Sequence, residues 1–95
     1  MDVNDLTIEW KEEDGTVTVK ELDKFVLSKG AWATVMFLYQ NLNKATGEYQ
    51  EPQVRIVRYK KNKDYYAQQS KFNISSKKQA MMIRDQLNKW YEEEE

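Results

Sequence analysis

The segment from Ala31 to Leu42 limits the folds open to this chain more than any other. Its apolar side chains fall into two alternating sets, so an extended backbone would be apolar on both faces. One set is Trp32, Met36 and Leu38, and the other is Val35, Phe37 and Tyr39. Because strands of this kind are buried on both sides, the sequence predicts a β-strand here that is covered on both faces.

Period-two alternation predicts further strands on either side of this segment. Asp14-Gly15 is a tight-turn signal between two short alternating stretches and predicts an N-terminal hairpin. A polar loop and a second turn separate the later strands. The predicted strands are 6–10, 16–20, 22–27, 54–60 and 65–74, with the loop at 43–52 and the turn at 61–64.

The C-terminal region is predicted to be helical. Ser76 and Gln79 have the spacing of a capping box, in which each side chain satisfies a backbone N–H at the start of a helix. Ala80, Ile83, Leu87 and Trp90 then follow at intervals of three and four and form one apolar stripe. Hairpins followed by one amphipathic helix indicate an α+β fold.

Composition restricts the chemistry of this 95-residue chain. It contains no Cys and no His, which removes disulfides, thiolate metal sites and the usual general base. No phosphate-binding glycine loop or serine-nucleophile motif is present. We therefore predict a protein that is not an enzyme and that needs no cofactor.

The acidic N-terminus and short apolar runs predict a protein without a signal peptide or membrane span. Its expected location is the cytoplasm, or the nucleus if the source is a eukaryote.

Charge is distributed unevenly along the chain, although its formal net charge is -1. Residues 54–84 contain nine Lys or Arg and one acid, Asp64, whereas acids predominate on both sides. Aromatic residues lie within the basic block, and basic grooves with aromatic faces are typical of single-stranded nucleic-acid binding. The candidate binding residues are Lys29, Arg55, Arg58, Tyr59, Lys60, Lys61, Tyr65, Tyr66, Lys71 and Phe72.

Each of these features has a plainer interpretation. A run of cations can be a solvated face, and tyrosines in strands are often half-buried core residues. The four acids at Glu92–Glu95 can be a solvated tail, or a tail that contacts replication or transcription proteins or competes with nucleic acid for the basic groove. The acidic first half also allows a protein–protein module or inhibitor that mimics nucleic acid.

Several short motifs resemble the family of transcriptional positive cofactor four. The family's last strands and the start of its helix are similar to a series of residues in this chain. In order, these are Arg58-Tyr59, a hairpin turn, Lys71, Ile74-Ser75 and Gln79. Upstream, Phe25-Val26-Leu27-Ser28-Lys29 resembles the family's strand opening, and Trp32, Thr34 and Val35 fit the next positions. The resemblance extends over residues 25–87 and suggests a compact bacterial- or phage-type member.

The resemblance implies a four-stranded curved antiparallel sheet closed by one helix, in a homodimer that holds single-stranded DNA. The fold expected for this chain is α+β, with a curved antiparallel sheet of four or more strands followed by one C-terminal amphipathic helix, in a dimer. The resemblance also implies that Lys29, Arg58, Tyr59 and Lys71 lie at or beside the DNA. Phe72 departs from the family, which has Gly there, and the interval from Arg58 to Lys71 is shorter. Which face of the strand at 54–60 meets nucleic acid therefore stays open.

We accordingly expect one domain over residues 1–95. It divides into an N-terminal hairpin (1–24), a coactivator-like single-stranded-DNA-binding core (25–91) and an acidic tail (92–95). The expected function is non-catalytic binding of single-stranded DNA, with low sequence specificity, in replication, recombination or transcription. RNA remains an alternative ligand. The expected partner is a second copy, because a core this small gains from one and Met81, Met82, Trp90 and Tyr91 widen the apolar stripe of the helix.

Overall fold

The structure, a computed structural model, describes residues 2–92 and contains six strands and one α-helix there. A 3-10 turn (Val3–Asp5) precedes β1 (Trp10–Lys11), β2 (Val17–Ser28), β3 (Trp32–Asn43), β4 (Glu48–Tyr49), β5 (Gln53–Asn62), β6 (Tyr65–Ile74) and α1 (Lys77–Glu92). The strands form a curved antiparallel sheet in the order β1-β2-β3-β5-β6, and β4 pairs with β3. The predicted α+β architecture, a curved antiparallel sheet followed by a helix, is confirmed.

The N-terminal residues differ most from expectation. The predicted strand at 6–10 contributes only Trp10 to the sheet. Leu6 is buried and Ile8 packs against the core, so their alternation reflects one apolar side of an extended segment without strand pairing. The predicted strands at 16–20 and 22–27 merge into β2, interrupted by two register shifts. The expected boundary between residues 24 and 25 therefore falls inside a strand.

One face of the sheet carries the buried core and is called the covered face. Residues directly opposite each other in an antiparallel pair share a face, so the side chains of β3 and β5 meet there. The core cluster consists of Val3, Leu6, Ala33, Val35, Phe37, Val57 and Tyr59. Lys24 anchors the N-terminal segment, since its Nζ donates to the carbonyl oxygens of Asn4 at 2.6 Å and Leu6 at 2.7 Å.

The opposite face, called the open face, carries two apolar rows that cross four neighbouring strands. The register places Phe25, Met36, Ile56 and Phe72 side by side in the first row, and Asp23, Leu38, Val54 and Ile74 in the second. Phe25, Leu38 and Phe72 are exposed, whereas Ile74, at the β6 end of the second row, is buried. The prediction that β3 is covered on both faces thus holds fully for the covered face and not for the open one.

The helix begins as predicted and then leaves the sheet. Ser76 Oγ accepts a hydrogen bond from the Gln79 backbone N–H at 3.1 Å, while Gln79 Oε1 accepts one from Ser75 N–H at 3.1 Å. No residue of α1 is buried, and its main contact within residues 2–92 is with β6. The radius of gyration is 15.6 Å, whereas a compact domain of this length has about 12 Å. The molecule is therefore extended.

Candidate nucleic-acid interface

Basic and aromatic residues gather at one end of the sheet. Beyond the apolar rows, the open face continues with a polar row of Ser28, Thr34, Arg58 and Ser70, and then with Trp32 beside Lys60. The β2–β3 turn and the β5–β6 turn lie at this same end. We call it the basic end and define it as Lys29, Trp32, Arg58, Lys60, Lys61, Tyr65 and Tyr66.

On the open side of the basic end, two cations lie against one indole ring. Arg58 Cζ is 4.2 Å and Lys60 Nζ is 5.2 Å from the ring centroid of Trp32. The register explains the cluster, since Lys60 is directly opposite Trp32 and Arg58 is two residues away on the same face. The ring is 40% exposed, and both cations are exposed. An aromatic plane with two adjacent positive charges can stack a base and neutralise its phosphates.

A shallow groove lies on the other side of the basic end. It is lined by Asp2, Val3, Lys29, Gly30, Lys61 and Tyr66. The Tyr66 hydroxyl donates to the Gly30 carbonyl at 2.9 Å, and the Lys61 backbone N–H donates to the Ala31 carbonyl at 2.7 Å. Lys61 Nζ is 5.8 Å from the Tyr66 ring centroid. Gly30 has φ 131°, which favours glycine at this turn. These bonds tie the two turns together.

A bulge in β6 determines on which face of the sheet Tyr65 and Tyr66 lie. Arg58 is opposite Ser70 but Tyr59 is opposite Gln68, so the register shifts by one residue at Gln69. Tyr65, beside Asn62, consequently lies on the open face with half its surface exposed, and its hydroxyl accepts a hydrogen bond from Asn62 Nδ2 at 3.1 Å. Tyr66 lies on the covered face.

Tyr59 is part of the core. Its side chain is 5% exposed, and its ring meets that of Tyr66 edge to face with centroids 6.5 Å apart. Burial raises the pKa of its phenol above the ordinary value, a shift that the nearby positive charge of Arg55 opposes. The ring has no free face for a base in this arrangement, so the predicted stacking role does not fit Tyr59 as the structure places it.

Three other predicted residues lie away from the basic end. Arg55 Nε donates to Asn73 Oδ1 at 2.7 Å, and its guanidinium lies 4.6 Å from the centroid of the Tyr39 ring. Lys71 is opposite Val57 on the covered face, whereas Arg58 is on the open face. Phe72 belongs to the first apolar row. The arrangement implied by the family resemblance, with Arg58, Tyr59 and Lys71 beside one DNA strand, is thus divided between two faces.

Trp32 is the residue that sequence reasoning left out of the candidate set. Its place in an apolar set of the segment from Ala31 to Leu42 suggests burial, whereas its position at the start of a strand, two residues after Gly30, leaves its role ambiguous. Its partners come from β5, and their pairing depends on a register that the nine residues between β3 and β5 do not reveal. One signal could have pointed to Trp32: an aromatic residue at the start of one strand, when that strand pairs with another strand rich in cations.

Within residues 2–92, no group of three or more His, Cys, Asp or Glu side chains is placed to hold a metal ion. No helix in the same range has the length and apolar character needed to cross a membrane. Comparisons with protein-family models, curated proteins and solved structures found no match.

Proposed function

We propose that this protein is a non-catalytic single-stranded-DNA-binding protein of low sequence specificity that acts as a homodimer in replication, recombination or transcription. The observation that carries the proposal is the cluster of Arg58, Trp32 and Lys60 on the open face. Lys29 and Lys61 add two exposed cations around the same end of the sheet. A strand of nucleic acid that crosses this end would meet positive charge on both sides.

The geometry favours single strands over duplex. Trp32 and Tyr65 present partly exposed rings on the same face, and a ring of this kind can stack on a base that is not already stacked within a duplex. The exposed cations of the basic end would pair with phosphates, which carry no sequence information. Binding should therefore tolerate different sequences.

The test is a salt titration with labelled oligonucleotides of single-stranded DNA, duplex DNA and RNA. Each phosphate contact on a single strand contributes about −0.7 to the slope of log K against log salt. Contacts from Arg58, Lys60, Lys61 and Lys29 predict a slope of about −3 for single-stranded DNA, with weaker binding to duplex. A slope near zero, or no binding at about 50 mM salt, would contradict the proposal.

A matched pair of variants locates the site. Arg58→Ala with Lys60→Ala removes both cations that contact Trp32, and we expect weaker binding with a shallower slope. Lys44→Ala removes one cation at the far end of β3, where Lys44 forms an ion pair with Glu12, and should leave binding unchanged. Equal effects of the two changes would show that general charge, and not the basic end, determines binding. Tighter binding to RNA than to DNA would reassign the ligand.

A further inference from the structure

Two apolar surfaces of the chain lie largely uncovered, apart from Ile74 at the end of β6, which is buried. The first consists of the two apolar rows on the open face, where Phe25 is 66% and Phe72 is 52% exposed. The second is the stripe on α1, where Trp90 is 64% and Tyr91 is 65% exposed. Because α1 contacts the sheet mainly near β6 and has no buried residue, a single chain does not bring the two surfaces together.

The exposed area is large enough for a stable interface. An aromatic side chain presents about 150–250 Å², so these four rings alone leave on the order of 500 Å² per chain uncovered. Leu38, Met82 and Leu87 are exposed as well. A standard interface buries about 800 Å² on each partner, which these residues can supply.

The two surfaces also match in size and charge. Three inter-strand steps separate Phe25 from Phe72, which gives a row about 14 Å wide. The stripe from Ala80 to Trp90 is about 15 Å long. Asp23 is the one charged residue in the two rows. The helix has more cations than acids, with Lys77, Lys78, Arg84 and Lys89 against Asp85 and Glu92.

We propose that α1 of a second copy lies across the apolar rows of the open face, and that the exchange is reciprocal. A two-fold axis then gives two identical helix-to-sheet contacts in a closed dimer. This inference rests on the homodimer of the proposed function and specifies its contact surface. It divides the open face in two, so that the partner helix covers Phe25, Met36, Ile56 and Phe72 while the basic end stays free for nucleic acid.

Sedimentation at micromolar protein tests the contact with matched single variants. Phe72→Asp on the sheet and Trp90→Asp on the helix should each raise the dimer dissociation constant by at least about 30-fold, as loss of an interface hot spot does. Trp10→Asp is the control, because Trp10 is 64% exposed and lies in β1, outside both surfaces. Circular dichroism should show that all three variants keep the wild-type fold. A dimer that survives both Phe72→Asp and Trp90→Asp would overturn the proposal.

Mixing the variants distinguishes this arrangement from a dimer formed by helices alone. A mixed dimer of the Phe72→Asp and Trp90→Asp chains has one intact helix-to-sheet contact, which neither variant has by itself. Mixing should therefore restore part of the dimer population. If it restores none, the reciprocal contact is wrong.

Oligonucleotide binding by the same proteins separates this proposal from the proposed function. A wild-type protein that is monomeric yet binds single-stranded DNA would overturn the helix-to-sheet contact and the homodimer, and would leave single-stranded-DNA binding standing. A wild-type dimer that meets every expectation above but binds no single-stranded DNA would do the reverse.

Discussion

The two faces of the sheet are made from the same strands but differ in how far their side chains are buried. On the covered face, Val35, Phe37 and Val57 have no exposed surface, because Val3 and Leu6 from the N-terminal segment close over them. On the open face, Phe25 and Phe72 remain more than half exposed. The difference shows that one face stabilises the fold of the single chain, while the other leaves large apolar side chains exposed to water.

The largest expected effect is a difference in the free energy of unfolding between substitutions on the two faces. Phe37→Ala leaves a cavity in the core and should cost about 3–5 kcal/mol of unfolding free energy. Phe72→Ala removes a ring that water already reaches and should cost less than about 1 kcal/mol in a monomeric protein. Urea unfolding measures both changes in the Trp90→Asp background, where the proposed dimer is absent. Similar costs for the two changes would contradict the contrast between the faces.

Within the open face, Trp32→Ala should weaken binding to single-stranded DNA by about 1–3 kcal/mol, the range measured for the loss of one stacked base. The matched control is Trp10→Ala, which removes an exposed indole outside the basic end and should leave affinity unchanged. Fluorescence anisotropy at constant salt measures both. Loss of affinity in Trp10→Ala alone would move the binding surface to β1.

The sequence predicts the fold well because its signals are local. Alternation identifies the strands, and Ser76 and Gln79 mark the start of the helix. The candidate site is predicted less completely because it depends on register. The bulge at Gln69 sets the face of Tyr66, and the pairing of Trp32 with Lys60 joins distant segments. Neither feature can be read from residue types.

The N-terminal segment shows a second limit of sequence patterns. Leu6 and Ile8 alternate with polar residues as in a strand, but alternation reports only that one side of an extended segment is buried. Here that side packs on the sheet face, and Thr7 Oγ1 donates to Glu21 Oε1 at 2.5 Å in place of a strand ladder. The predicted tail begins at Glu92, the last described residue, and the rest of it lies outside the described residues.

A smaller effect is expected on the salt dependence of binding when cations on the two faces are removed. Arg58→Ala should reduce the salt slope for single-stranded DNA by about 0.7, the contribution of one phosphate contact, because its charge lies beside Trp32. Lys71→Ala should leave the slope near the wild-type value, since Lys71 lies on the covered face away from the basic end. Titrations from about 50 to about 200 mM salt compare the two variants. A larger change in slope for Lys71→Ala would place the nucleic acid on the covered face.

The smallest effect concerns the phenol of Tyr59. Burial raises its pKa above the ordinary value of 10.0, so the folded protein holds the phenolic proton more tightly than the unfolded chain. Its contribution to stability is complete below pH 10 and is lost as pH rises through the higher folded-state pKa. Tyr59→Phe should therefore lose less unfolding free energy than wild type between about pH 9 and about pH 11. Equal losses in urea unfolding would contradict a buried phenol.

Photochemical crosslinking to a single-stranded oligonucleotide containing iodouracil, followed by peptide mass spectrometry, tests the central claim most directly. The claim is that nucleic acid lies at the basic end of the open face, beside Trp32 and Tyr65. The account predicts crosslinks to these two residues and none to Trp10 or Tyr49, which are also exposed but lie elsewhere. Crosslinks confined to Trp10 or Tyr49, or spread equally over all four aromatic residues, would contradict it.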